Sequence, residues 1–236
     1  MAGAEVTFGE VDLRVREPDG EPEGALILSH GRGADENDLY PLLDELDPDR
    51  RLLAATTGAP LRGVPPGGRH WYVVERIGYP HAATFERSYA LLGEAVDGLL
   101  GDRGIDHSRA VYGGFSQGTV MSWALALGAD RSAPAGVLAL SGFIPTVAGW
   151  KPDFASRKGL RAYVHHGAAD PVIVADFGRD AARRLREAGL DVAYEETNAG
   201  HWLPPEIVPR MRAFVDDVLP EAASGPQASA RRGRLR

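Results

Sequence analysis

The chain contains no cysteine, which excludes disulfides, thiolate metal sites and a cysteine nucleophile. It has no basic surplus either. Its 33 acidic side chains outnumber 26 basic ones, for a formal net charge of −7, so the concentrated positive surface that nucleic acid requires is not expected. No apolar run approaches the length of a membrane span. The opening MAGAEVTFGE lacks the basic segment and apolar stretch of a secretory signal, and the expectation is a cytoplasmic protein. What remains is a composition of 44% hydrophobic and 25% charged residues, the balance of a soluble globular chain. At 236 residues it suits one large α/β domain with a substantial core.

Short apolar runs alternate with helical periods along most of this length. Val6 and Phe8, then Val11, Leu13 and Val15, alternate with polar residues and predict an N-terminal hairpin. ALILS (25–29) reads as a strand buried on both faces. Asp35, with Asp38 three residues on, predicts a helix start, followed by a face of Leu39, Leu42, Leu43 and Leu46. RLLAAT (51–56), RAVYGG (109–114), GVLALSG (136–142), LRAYVHHG (160–167) and DVAYEET (191–197) are further strands, and Trp71 to Val74 a short extended piece. Helical periods cover residues 85–100, 117–127, 174–188 and 207–218, with Gly189 as a stop and Pro209 in a first turn. This order implies a mostly parallel sheet with helices on both faces. Residues 1–220 form the single expected domain. Residues 221–236 have no apolar period and end among arginines, a composition that predicts a disordered tail.

The chemistry gathers at strand ends. GGFSQG (113–118) contains Gly114-Phe115-Ser116-Gln117-Gly118, a G-x-S-x-G match between a predicted strand and a predicted helix. A serine hydroxyl needs a base to become a nucleophile. His201, in NAGHWLPP between the last strand and last helix, has the expected chain position. His70, His81 and His107 have nothing to raise them above surface or core residues, and His165 and His166 suit structural roles within a strand. The base needs an orienting carboxylate. Asp170 follows a strand at its C-terminal edge, where open α/β sheets gather their sites. Asp176 is expected within a helix and Asp191 on the opposite edge. HGRG (30–33) ends the first central strand and offers backbone N–H groups, so the amides of Arg32 and Gln117 form the expected oxyanion pair. A phosphate loop is the alternative for HGRG, but the G-K-[ST] ending and the G-x-G-x-x-G pattern are both missing.

Taken in order, LSHGRGADENDLYPLL, GGRHWY, GGFSQGT, LSGFIP, HHGAADPVI and AGHWLPPEI resemble the phospholipase/carboxylesterase family of α/β-hydrolases, which also contains acyl-protein thioesterases. The likeness runs from Ala25 to Leu219 and is nearest the bacterial carboxylesterase branch. It implies an α/β-hydrolase fold with no large lid domain and a rather open site. It implies a Ser116–His201–Asp170 triad, with no metal or other cofactor. Trp71, Ile144 and Pro145 correspond to positions that line the acyl pocket. Family members are often dimers, so a homodimer stands beside the monomer as an expected state. The expected partner is a small ester substrate. Rival expectations are an acyl thioesterase, a lysophospholipase, or a non-catalytic binding protein on the same fold. Many relatives carry a small or apolar residue where this chain has Arg32; its guanidinium either favours anionic or polar esters or points into water, and solvent is the expected place for it.

Overall fold

The computed structural model describes residues 7–8, 10–63 and 68–220. A seven-stranded sheet organises them. Its strands are β1 (Asp12–Arg16), β2 (Ala25–Ser29), β3 (Leu53–Gly58), β4 (Ala110–Phe115), β5 (Gly136–Leu140), β6 (Arg161–Gly167) and β7 (Asp191–Thr197). They lie in the order β7-β6-β5-β4-β2-β3-β1. All neighbours are parallel except β1, which runs antiparallel to β3. Five helices complete the layers: α1 (Tyr40–Leu46), α2 (Ala82–Asp102), α3 (Gln117–Leu127), α4 (Asp176–Glu187) and α5 (Val208–Val218). No large separate lid domain is present among the described residues.

Alternation along the strands divides the core in two, because successive side chains point to opposite faces. Ala25, Ile27, Tyr112, Val137, Ala139 and Val164 pack with Phe85, Leu92 and Val96 of α2, with α3, and with Leu185 of α4. Leu26, Leu28, Val111, Leu138, Leu140 and Tyr163 pack with Leu43 and Leu46 of α1 and Met211, Phe214 and Val215 of α5. Both faces of the central strands are therefore covered, as their unbroken apolar runs require. Helix α4 stops where expected. Gly189 has φ +87, and the amides of Gly189 and Leu190 close onto Arg186 and Leu185, a Schellman ending.

Three local expectations give way. The N-terminal hairpin does not form among the described residues; Val6 and Gly9 lie outside them. Residues Thr7–Phe8 pair instead with Leu61–Arg62, and β1 pairs with β3. A five-residue ladder against an otherwise open sheet edge outweighs a two-residue hairpin arm, and it covers that edge. The helix start moves from Asp35 to Tyr40, because the Asp35 carboxylate accepts the Asn37 amide (2.8 Å) and closes a local turn. The extended piece shifts from Trp71–Val74 to a small hairpin of Val74–Arg76 with Tyr79–Pro80, turned at Gly78 with φ +89. The expected tail lies outside the described residues.

The sheet order reverses between β2 and β4. Beyond the carboxyl ends of these adjacent strands the connections diverge, leaving the crevice where open α/β sheets hold ligands. HGRG follows β2 and Ser116 follows β4, so both loops open into that crevice.

Candidate active site

Ser116 stands at the junction of β4 and α3 with φ 55 and ψ −116, a left-handed conformation that costs a non-glycine residue about 1–3 kcal/mol. Its surroundings hold it there. The Ser116 amide donates to Leu140 O (2.9 Å). The Thr119 hydroxyl lies 2.6 Å from both Gly114 O and Leu140 O and accepts the Leu140 amide (2.9 Å). The flanking glycines give clearance. A Cβ on Gly114 would sit 2.7 Å from Ser29 O, and one on Gly118 would fall directly onto that carbonyl. The sharp turn therefore exists only because β2 and α3 can approach each other across two residues without side chains.

Three segments distant in sequence meet at the serine. Ser116 Oγ donates to His201 Nε2 (2.9 Å), and His201 Nδ1 donates to Asp170 Oδ2 (2.6 Å). The other Asp170 oxygen accepts the amides of Val172 (2.8 Å) and Ile173 (2.9 Å). Asp170 is buried, and these donors balance its charge. The Phe115 ring packs on His201 with centroids 4.8 Å apart. Behind them, His166 Nε2 donates to Ile173 O (2.7 Å), and burial lowers its pKa although Asp170 pulls the other way. His166 thus stays neutral and buttresses the turn that carries Asp170.

The Arg32 and Gln117 amides have no protein acceptor among the described residues. Gln117 opens α3, where the first-turn N–H groups have no intrahelical partner. The loop that carries Arg32 is anchored on both sides. His30 Nδ1 donates to Gly31 O (2.6 Å), and His30 Nε2 accepts the Ala59 amide (3.0 Å). That acceptor role needs a neutral ring, and burial lowers the pKa of His30 accordingly. The Gly33 amide donates to Arg69 O (2.8 Å).

A cleft of about 330 Å³ opens over Ser116. Its apolar walls are Tyr72, Val74, Ile77, Phe143, Val172 and Ile173, and Arg32, Asp38 and Arg76 are its charged lining. Trp71, Ile144 and Pro145 are not among the lining residues, which corrects the sequence expectation. Trp71 adjoins Tyr72 and Ile144 adjoins Phe143, and those two neighbours do line the cleft. Trp71 is fully buried, and its indole N–H donates to His30 O (2.9 Å). It supports the HGRG loop, while its neighbour Tyr72 faces the cleft. Ile144 and Pro145 are buried, and Phe143 supplies the wall.

The Gln117 side chain does work that the motif does not announce. Its Oε1 accepts the Trp71 amide (2.9 Å), and its Nε2 donates to Tyr72 O (3.0 Å). One buried amide thereby clamps the wall of the cleft to the serine turn. The signal for it is the position itself: residue 117 begins a helix next to the serine, so its side chain must leave toward a neighbouring loop.

The phospholipase/carboxylesterase family model matches residues 11–219. The chain belongs to this family. The acyl-protein thioesterase 1 of Debaryomyces hansenii is 28% identical over 216 residues, covering 84% of this chain and 92% of that protein. The acyl-protein thioesterase 1 of Aspergillus fumigatus is 32% identical over 134 residues, which span 55% of each chain. The Bacillus cereus carboxylesterase structure superposes with TM-score 0.72 at 21% identity, over 88% of this chain and 94% of that one. Esterase PE8 superposes with TM-score 0.74 at 22% identity, over 89% and 99%. These two likenesses establish the α/β-hydrolase fold. Family membership makes the chain a hydrolase of the ester and thioester type. No helix among the described residues is long and apolar enough to cross a membrane.

Proposed function

We propose that the chain is a serine hydrolase that cleaves small carboxylic esters through an acyl-enzyme intermediate. The observation that carries this reading is the continuous hydrogen-bond chain Ser116 Oγ–His201–Asp170, at 2.9 and 2.6 Å. Its polarity supports the assignment of roles. Asp170 accepts from Nδ1, which leaves Nε2 with a lone pair aimed at the serine proton.

In the first step His201 takes the Ser116 proton as Oγ attacks the ester carbonyl. Negative charge develops on the carbonyl oxygen, next to the unpaired amides of Arg32 and Gln117. One such donor is worth about 2.7–4 kcal/mol in the transition state. His201 then protonates the departing alcohol, and the acyl group remains on Ser116. In the second step water attacks, and His201 again removes and returns the proton. Asp170 stays ionised and fixes the imidazole. The side chains and two amides supply every group these steps need, without a metal or other cofactor.

A fluorophosphonate tests this directly. Intact mass of the wild type should rise by one phosphonyl adduct, and Ser116→Ala should take none. An unlabelled wild type, or an equally labelled variant, would sink the mechanism. An adduct on the wild type, together with esterase activity that is lost in Ser116→Ala, also disposes of the non-catalytic binding protein.

A thioesterase is the second reading, motivated by the relatives named acyl-protein thioesterase 1 and by the apolar cleft walls. Rates on 4-nitrophenyl esters of increasing acyl length, set against S-acyl thioesters of the same lengths, separate the two. Higher kcat/KM on long-chain thioesters than on short esters would overturn the ester assignment.

A further inference from the structure

We propose that Arg32 and Arg76 select esters that carry an anionic group, a carboxylate or a phosphate. The proposal rests on the hydrolase reading above and adds a substrate class to it.

Acidic side chains outnumber basic ones in this chain, and several exposed arginines elsewhere are matched to them, whereas Arg14, Arg109 and Arg186 hydrogen-bond to neutral oxygens instead. Arg179 sits on Glu196 and Asp176, Arg183 on Asp180 and Glu187, and Arg210 on Glu195. The two arginines of the cleft have no such carboxylate match among the described residues. Arg32 lines it and makes no hydrogen bond or ion pair with any described residue. Arg76 lines it too, with its guanidinium 3.7 Å from the centroid of the Tyr79 ring and no carboxylate partner among the described residues. Among the described residues Asp38 is the one carboxylate that lines the cleft, and it forms an ion pair with neither arginine. An incoming anion thus meets two guanidiniums that no described carboxylate neutralises. An incoming cation meets a single exposed carboxylate.

The setting strengthens the preference. Val74 and Ile77 flank Arg76 along the same wall, and apolar walls focus the field of nearby charges. The Arg32 charge also reaches inward, where it helps to lower the pKa of buried His70, after burial itself. A guanidinium offers a planar fork of donors that fits carboxylate and phosphate oxygens. Its reach to a substrate anion does not change as the ester carbon becomes tetrahedral. The contribution is therefore uniform binding, and it belongs in KM rather than kcat.

The test uses esters matched in shape and differing in charge. On the acyl side, mono-4-nitrophenyl adipate and 4-nitrophenyl 5-phosphonopentanoate are compared with neutral 4-nitrophenyl 6-methylheptanoate. On the alcohol side, 4-carboxyphenyl butanoate is compared with 4-carbamoylphenyl butanoate. The readout is the anionic-to-neutral ratio of kcat/KM within one protein, so a general loss of activity or folded protein leaves it unmoved. Wild type should favour the anion in at least one pair. The ratio should fall about tenfold in Arg76→Ala and in Arg32→Ala, mainly through KM, and stay nearer wild type in Arg76→Lys. Raising salt from about 0.05 to about 0.5 M should erode the preference without changing the neutral rate. The adipate and phosphono arms tell carboxylate from phosphate. A ratio that is the same in wild type and both alanine variants, in every pair, overturns the proposal while leaving the hydrolase intact. Turnover that is missing in the wild type for every ester, anionic and neutral, or that survives Ser116→Ala, overturns the underlying reading instead.

Discussion

Replacing Gln117 by alanine separates the side chain from the backbone at the residue that borders the serine. The amide proposed for the oxyanion remains, since any residue but proline supplies it. What is lost is the clamp on the cleft wall, in which Trp71 N and Tyr72 O both hold the side-chain amide at 2.9 and 3.0 Å. Gln117 and Trp71 are buried and Tyr72 is 2% exposed, so bulk water does not readily replace the missing partner. Each unsatisfied buried group costs about 1–3 kcal/mol. Some relief by a water entering the space vacated by the side chain brings the pair to about 2–4 kcal/mol. For a chain of this size 1 kcal/mol corresponds to about 2–4 °C in Tm, so Tm should fall by roughly 4–16 °C. Tyr72 should then hold the cleft wall less firmly, and KM should rise more than kcat falls. Differential scanning fluorimetry and Michaelis–Menten kinetics on a neutral ester measure both quantities. An unchanged Tm would refute the clamp. A large fall in kcat at unchanged KM would mean that the side chain acts on the transition state, contrary to its geometry.

Further perturbations probe other contacts. Asp170→Asn removes the acceptor that holds Nδ1–H, so kcat should drop by about 10⁴ with the fold intact by circular dichroism; activity within tenfold of wild type would contradict the triad. Gly118→Ala drives a methyl onto Ser29 O and should lower Tm by about 2–12 °C. Gly98→Ala, in exposed α2 surface where an added Cβ meets nothing within 4 Å, should instead stabilise by about 0.5–1 kcal/mol; equal effects of the two changes would defeat the steric account. Burial, ahead of nearby charges, pushes His70 and His165 down to about 4. The unfolded chain then binds more protons than the folded one between about pH 6.5 and 4. Stability should be complete above about 6.5, fall as pH drops toward 4, and lose at most about 3 kcal/mol for each ring. A urea midpoint that stays level from neutral pH down to about 4 would contradict this.

How far the sequence discloses the site depends on which kind of information each residue carries. The central β strands are legible because double-sided burial leaves uninterrupted apolar runs, and ALILS matches the observed Ala25–Ser29 strand end to end. Ser116, Asp170 and His201 are legible because each follows a strand, and parallel strands deliver all their C-terminal ends to one edge. Pairing partners are less legible. The residues of β1 read equally well as a hairpin arm and as an edge strand, and only the unfilled edge beside β3 decides. Facing is the least legible of all. Trp71 and Tyr72 are adjacent aromatics in an irregular loop, with no period to say which one turns toward the cleft. The decision comes from two distant hydrogen bonds, Trp71 Nε1 to His30 O and Gln117 Nε2 to Tyr72 O. The same holds at Phe143 and Ile144. Position 141 adopts φ 49, so simple strand alternation ends before the wall residue is reached.

Arg32 and Gln117 bear the same division of labour, and it predicts which changes each position tolerates. In the proposed mechanism both contribute backbone amides, so neither is restricted by its side chain for that task. Their side chains are nevertheless opposite in character. Gln117 is buried and doubly bonded to the cleft wall, so almost any replacement strands two backbone groups. Arg32 is exposed and has no hydrogen-bond or ion-pair partner among the described residues, so its replacement leaves no orphan among them. Substitution at 117 should accordingly register in stability before it registers in substrate choice. Substitution at 32 should register in substrate charge preference with little change in stability. A loss of stability in Arg32→Ala comparable to that in Gln117→Ala would mean that the guanidinium is committed to the fold, and the argument from its freedom would fail.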